Sequence, residues 1–329
     1  ESWLEEDNFD FTTSYPDFDL DAVTQYAEQQ GVALIGHHET GGKVQSYERQ
    51  LDNAMALYDS VGVPAVKTGY AGMIRPKGQH HHGQWMVNHY RRVVKEAAEH
   101  EIAINAHEPI KPTGIRRTWP NMMTREGVRG MEYNAWAEPN PPSHTVTLPF
   151  TRMLAGPLDY TPGVFNLTPE EIQPDHRIMT TLSKQLANMV VLYSPVQMAA
   201  DLIEHYQGHE AVSFLEAVPA DWSESHILNA RIGEYITIAR RQDGKGAWFV
   251  GSTTNKEART LDVPLSFLPD NRTYVAHIYE DGPEADYEDA PHEYRIRRGL
   301  VTASDTITAD LARSGGQAVI LRPASTTQQ

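Results

Sequence analysis

The sequence predicts an α/β fold: the later strands of a (β/α)₈ TIM-type barrel, truncated, followed by an all-β sandwich domain. Three observations carry this. Short apolar runs alternate with amphipathic helical segments at intervals of roughly 35–40 residues, the rhythm of a parallel sheet. Those runs end in ionisable residues, as barrel strands do where chemistry sits at their C-terminal ends. After residue 222 the hydrophobic period changes from helical to alternating, which divides the chain into 1–222 and 223–329.

The elements follow in order. Asp19 is placed to cap a helix in which Leu20, Val23 and Ala27 recur at helical spacing, and Gly31 stops it. Residues 32–35 read as an apolar strand that delivers Gly36-His37-His38-Glu39. Tyr47, Leu51, Ala54, Met55 and Tyr58 share one helix face, with Ser46 as cap and Gly62 and Pro64 as breakers. Residues 65–67 open a second strand leading to Gly69 and Tyr70. A helix with Met86, Tyr90, Val93, Val94 and Ala97 on one face precedes the run Ala103–Ala106, which delivers His107-Glu108. A basic, Pro-broken loop leads to a fourth strand end at Glu132. Helices over 176–193 and 195–206 and a strand over 211–215 complete the region.

About six strands are counted where a closed barrel needs eight, and the chain opens on an acidic, aromatic stretch. The early strands are therefore expected upstream. The Gly-rich phosphate turn of a doubly wound sheet is absent. In the second region, residues 234–240 and 247–252 alternate around an Asp243-Gly244 hairpin turn, with further strands at 274–279 and 318–321.

Composition narrows the function. The chain has 329 residues and a net charge of −16, which argues against nucleic acid or an anionic membrane as partner. No apolar run approaches the ~18 residues of a membrane span. With no cysteine, disulfides and zinc–thiolate sites are excluded, leaving oxygen and nitrogen ligands for any metal.

Glu39, Glu108 and Glu132 carry the chemistry. A carboxyl group whose pKa is raised by burial can act as acid while a partner that stays ionised acts as base, and glycoside hydrolysis uses such a pair. The alternative is ion pairing with Lys111, Arg116, Arg117, Arg125 and Arg129. Glu108, Glu126 and Glu132 could also share a hard cation. His37-His38, His80-His81-His82 and His107 suggest a metal centre, but neighbouring strand residues point to opposite faces, so each pair offers one inward ligand. Inward histidines suit hydrogen bonds to sugar hydroxyls. Trp119, Trp136, Tyr70, Tyr133 and Tyr160 fall in loops where aromatics either stack on sugars or pack.

The segments GHHETGG (36–42), VPAVKTGYAG (63–72), INAHEPIKPTGIRRTWPN (104–121), TREGVRGMEYNAW (124–136) and LPFTRMLAGPLDYTPGVF (148–165) resemble the C-terminal half of glycoside hydrolase family 97, bacterial α-glucosidases and α-galactosidases. The resemblance implies an N-terminal β-supersandwich domain that is missing from this sequence, a barrel, and a C-terminal β-sandwich. It implies Glu132 as general acid and Glu39 and Glu108 as the bases that hold and activate water. It further implies Glu108, Glu126 and Glu132 as Ca²⁺ ligands, and His37, His38, Lys67 and His107 as substrate contacts. Retaining members carry an aspartate nucleophile on the strand that here reads Lys67-Thr68-Gly69-Tyr70. The absence of that carboxylate, with Glu39 and Glu108 both present, resembles the inverting α-glucosidase branch. The expected substrate is an α-linked oligosaccharide, in the periplasm or secreted, with a homo-oligomer as the expected assembly. An α-galactosidase of the same family, or a fragment that only binds sugar, is the alternative.

Overall fold

The computed structural model describes residues 9–169 and 176–325 of the chain. Two compact units are present: Glu1–Gly127 with Ala155–Leu158, and Val128–Leu154 with Asp159–Gln329.

The first unit is a singly wound α/β layer. Helix α1 (Leu20–Gln29) is capped by Asp19, whose side chain accepts from the Ala22 amide at 2.9 Å. Strand β1 (Ile35–Glu39), helix α2 (Val44–Ser60), strand β2 (Ala65–Gly69), helix α3 (Gln84–Glu99), strand β3 (Ala103–Ala106) and strand β4 (Met122–Arg125) follow. The four strands are parallel, and their spatial order is their order in sequence. A sheet that grows in one direction only is the barrel pattern, whereas a doubly wound sheet reverses.

Periodicity explains the helices. Val44, Tyr47, Leu51, Ala54 and Met55 of α2 and Met86, Tyr90, Val93, Val94 and Ala97 of α3 are buried at spacings of three and four. They pack with Val66, Ile104 and Met122 of the strands. Each such side chain contributes roughly 1.5–3 kcal/mol, and Leu51→Ala would cost roughly 2–5 kcal/mol.

Three expectations need correction here. The first strand is Ile35–Glu39, so His37, His38 and Glu39 lie within it rather than after it. Helix α2 starts three residues early, with Lys43 at its cap position and Ser46 in its first turn. The fourth strand ends at Arg125 and delivers Glu126, not Glu132.

The second unit contains helices α4 (Leu182–Val191), α5 (Ile203–Tyr206) and α6 (Val212–Ala217) and strands β5 (Trp222–Arg231), β6 (Tyr235–Gln242), β7 (Trp248–Thr254), β8 (Arg259–Pro264), β9 (Tyr274–Asp281), β10 (Tyr294–Val301), β11 (Thr306–Leu311) and β12 (Gly316–Pro323). The six-stranded antiparallel sheet has the order β10-β9-β12-β7-β6-β5, and β11 pairs with β8 in a second sheet. Val263, Leu265, Ile307 and Leu311 of the smaller sheet and its loop meet Trp248, Val250, Ile278, Val319 and Leu321 of the larger one in a single core. The opposite face of the large sheet is covered by α4, all of whose ten residues are buried. That approach requires glycine: a Cβ on Gly251 would lie 2.6 Å from the Ala187 carbonyl oxygen, and one on Gly316 would lie 2.5 Å from the Lys184 Cα.

Helix α4 thus belongs with the β domain, and the compact units divide the chain earlier than the change of period near residue 222. The helix expected over 176–193 begins only at Leu182, and the one over 195–206 shrinks to Ile203–Tyr206. Residues 212–217 are helical rather than a strand. Among the described residues no helix is long and apolar enough to cross a membrane.

Candidate active site

In the first unit the strands deliver their side chains by strict alternation. His37, Lys67 and Asn105 are register partners across β1, β2 and β3, so they share one face, with Glu39 and Gly69 one pleat further on. His107 continues that face beyond β3, its amide donating to the Thr68 carbonyl at 2.8 Å. The charges in this row act on one another: burial and then the Lys67 cation hold His37 below its usual pKa, the Glu39 carboxylate opposes them, and His107 adds a smaller lowering.

His38 points the other way. It is 2% exposed, its Nδ1 lies 2.9 Å from the Tyr47 hydroxyl, and its ring stacks on Tyr58 at 4.9 Å and 12°. Burial, and then the neighbouring His37, push it down to about 3, so it is a neutral core histidine. The structure therefore corrects its reading as a substrate contact: only one of two adjacent strand residues can face the site.

The two glutamates expected to handle water meet at one turn. Glu39 Oε1 accepts from the Gly41 amide at 2.8 Å and from the Ala71 amide at 3.1 Å. Glu108 Oε2 accepts from the Tyr70 amide at 2.8 Å. Successive N–H groups of the turn after β2 thus hold carboxylates from two different strands. Charge-assisted bonds of this kind are about twice as strong as neutral ones. Glu108 adopts φ 41°, a left-handed conformation unusual for a residue with a side chain. Such strain persists where surrounding structure over-determines it, and it clusters at functional sites.

Glu126 follows β4 directly, its amide donating to the Ala106 carbonyl at 2.9 Å. It is 3% exposed, and its Oε2 lies 3.7 Å from His107 Nδ1. Glu108 and Glu126 therefore emerge from neighbouring strand ends. At these ends His107 and Glu126 each offer a donor atom of a type that can ligate a metal without sulfur.

Glu132 lies in the second unit, on the 3₁₀ turn Met131–Ala135. That turn is firmly tied. The Met131 amide donates to the Tyr160 carbonyl at 3.0 Å, and the Asn134 side chain bonds the Met131 carbonyl at 2.8 Å. Asn140 donates to the Gly130 carbonyl at 2.9 Å, and His144 to that of Arg129 at 2.8 Å. A general acid needs such a rigid seat. Tyr133 and Trp136 of the same turn lie 5.6 Å apart, and Trp136 is exposed.

The sequence reading passed over Asn105, buried beside Lys67. The signal for it was a lone polar residue in the run Ala103–Ala106, in phase with His107. In the loop after β2, His81 Nε2 lies 3.0 Å from the Tyr70 carbonyl oxygen.

Carboxylates and imidazoles thus sit at the C-terminal ends of consecutive parallel strands, where barrel proteins carry their functional sites. Known proteins agree. Residues 1–128 match the family model described as "Glycoside hydrolase 97", and residues 221–322 match "Glycosyl-hydrolase 97 C-terminal, oligomerisation". A solved glycoside hydrolase family 97 enzyme from Pseudoalteromonas sp. strain K8, in complex with acarbose, superposes with a TM-score of 0.94 at 46% identity, over 99% of this chain and 52% of that one. A substituted variant of that enzyme in complex with panose gives identical values. A curated "Retaining alpha-galactosidase" of Bacteroides thetaiotaomicron is 30% identical over 98% of this chain and 47% of its own length. A "Probable retaining alpha-galactosidase" of Streptomyces bingchenggensis is 30% identical over 97% of this chain and 46% of its own. This chain belongs to glycoside hydrolase family 97, and it spans about half the length of the curated relatives it matches.

Proposed function

We propose that this chain carries the catalytic residues of an inverting, calcium-dependent α-glucosidase that acts on α-linked gluco-oligosaccharides. The observation that supports this best is the pairing of Glu39 and Glu108 on the amides of Ala71 and Tyr70, beside a β2 strand with no carboxylate of its own. Both carboxylates accept from backbone donors of the same turn. That suits a pair that binds one water and takes its proton as the water attacks the anomeric carbon. Glu132 protonates the departing glycosidic oxygen. His37, Lys67 and His107 donate hydrogen bonds to sugar hydroxyls and orient the ring. Calcium, held by Glu108, Glu126 and Glu132, would place positive charge beside the acid and the substrate.

The curated relatives' names favour a second reading, a retaining α-galactosidase. A retaining mechanism needs a carboxylate nucleophile close to the anomeric carbon, and Gly69 supplies none. The acarbose and panose complexes of the more similar solved enzyme support the glucoside reading. The C-terminal domain is proposed to join copies of the protein, in keeping with its family description, and export to the periplasm or beyond is proposed for the enzyme.

Proton NMR during hydrolysis of aryl α-glucoside and α-galactoside tests both readings. The first-formed sugar is expected to be β-glucose. A first-formed α anomer, or turnover of the galactoside alone, would sink the proposal. In a crystal structure of the enzyme, the separation of Glu132 from the base carboxylates is expected at ~6.5–9.5 Å, and near 5 Å would contradict it.

A further inference from the structure

The 69–71 turn that holds both glutamates is itself held from behind. Tyr70 is fully buried, and its hydroxyl lies 3.0 Å from His89 Nε2. His89 Nδ1 in turn lies 2.9 Å from Glu48 Oε1. A carboxylate only accepts, so Nδ1 carries the proton and donates to Glu48. Burial disfavours the charged ring, so Nε2 is left as the acceptor for the Tyr70 hydroxyl. The chain of donors runs one way, from Tyr70 to His89 to Glu48.

The parts come from different elements. Glu48 lies on α2, His89 on α3, and Tyr70 directly follows β2. The His89 ring is 1% exposed, lies near-parallel to Trp85 at 6.3 Å and 11°, and is bonded at both nitrogens. On its main-chain side the same Tyr70 donates its N–H to Glu108, and the following amide donates to Glu39. The Tyr70 carbonyl faces His81 Nε2 at 3.0 Å. Every polar group of Tyr70 is therefore engaged, and movement of its ring would move both amides.

We propose that Glu48, His89 and Tyr70 form a buried positioning relay that fixes the 69–71 turn and, through it, the carboxylates of Glu39 and Glu108. The relay touches no substrate. It ties the two crossover helices to the water-holding pair, so that packing on the helix side sets geometry on the active side. The inference rests on the proposed roles of Glu39 and Glu108, but one of its tests does not.

Tyr70→Phe and His89→Leu remove links of the relay in the full enzyme. Two measurements are made: steady-state kinetics on an aryl α-glucoside, and amide hydrogen exchange of the segment around residue 70. In both variants kcat is expected to fall about 10- to 100-fold with KM within about twofold, because water positioning is lost while sugar contacts remain. Exchange at the amides of residues 70 and 71 is expected to accelerate about tenfold or more, because those bonds open more often. Glu48→Gln keeps an acceptor for His89 and is expected to retain most of the activity, whereas Glu48→Leu loses it. Unchanged exchange in Tyr70→Phe would overturn the relay, whatever reaction the enzyme performs. A kcat loss matched by an equal rise in KM, or equal losses in Glu48→Gln and Glu48→Leu, would also overturn it, because a merely structural role would do the same. If the wild-type enzyme does not invert α-glucosides, the proposed function fails, and the exchange result still decides the relay.

Discussion

A Cβ atom on Gly69 would lie 1.9 Å from Oε2 of Glu39. The two residues are register partners on β1 and β2, and the carboxylate from one strand fills the volume a side chain on the other would occupy. Glu39 in its present seat and a carboxylate at position 69 are thus mutually exclusive. Gly69→Ala is expected to push Glu39 off the Ala71 amide rather than unfold the sheet, because the clashing atom ends a flexible side chain. The expected loss is about 100-fold in kcat, of the size seen when one preorganised catalytic group is displaced. Thermal unfolding should shift by only a few degrees. Wild-type kcat in Gly69→Ala would show that Glu39 acts from elsewhere.

The same exclusion bears on stereochemistry. Gly69→Asp alone is expected to be inactive, since two carboxylates cannot share one volume. Gly69→Asp with Glu39→Ala clears the space and places a carboxylate on β2. Any activity recovered by the double variant is expected to release the α anomer first, as read by proton NMR. Release of the β anomer would mean that position 69 does not reach the anomeric carbon.

Glu132→Gln removes the proposed proton donor while keeping the shape of the turn. Loss of a general acid costs typically 10²–10⁴ in rate, and the cost should depend on the leaving group. An oligosaccharide substrate, with a poor leaving alcohol, is expected to lose the full amount. A dinitrophenyl glucoside, whose phenolate leaves without help, should lose tenfold or less. Equal losses on both substrates would place Glu132 outside the protonation step.

How much of this was legible in the sequence follows from the physics of each part. The parallel strands and helices of the first unit announced themselves because their burial is one-sided and periodic. The position of β1 was misplaced because His37, His38 and Glu39 look like a polar loop, yet alternate between the site and the core. Strands β5, β8, β10 and β11 went unread: charged residues interrupt them on their exposed faces, as Asp310 does beside the buried Ile307, Ala309 and Leu311 of β11. Residues 211–215 form an apolar run too short to tell strand from helix. Glu39 and Glu108 were legible as ionisable residues at the ends of apolar runs, and the structure brings both to one turn. The relay was not, because Glu48, Tyr70 and His89 are joined by hydrogen bonds spanning 19 and 41 residues, which no local pattern encodes.

The proposed calcium dependence assigns Glu108 and Glu126 as ligands. A ligand that binds only the folded state stabilises it by about 2.7 kcal/mol at one hundred times its dissociation constant. A chelator is therefore expected to lower both activity and the thermal midpoint, with recovery on adding calcium back. Glu126→Gln should raise the calcium concentration needed for half-maximal activity by tenfold or more, while saturating calcium restores much of the rate. Activity and midpoint indifferent to chelator would remove calcium from the proposal.

His38 sets an acid limit on the first unit. Its folded pKa is lowered to about 3, whereas the ordinary histidine value is 6.5. Above pH 6.5 the ring is neutral in both folded and unfolded chains, and its contribution to stability is fully present. Between pH 6.5 and 3 the unfolded chain binds a proton that the folded chain refuses, so stability falls as pH falls. The window spans several pKa units at about 1.4 kcal/mol each, so the loss is on the order of 4 kcal/mol by pH 3. The position also constrains substitution, since the ring fills space between Tyr47 and Tyr58. His38→Phe keeps that volume but cannot titrate, at the cost of the Tyr47 hydrogen bond. It is expected to be somewhat less stable than wild type at pH 7.5 and to lose less stability on acidification, so that denaturant curves of the two proteins converge towards pH 4. Parallel curves across that range would show that the proton taken up on acid unfolding binds elsewhere.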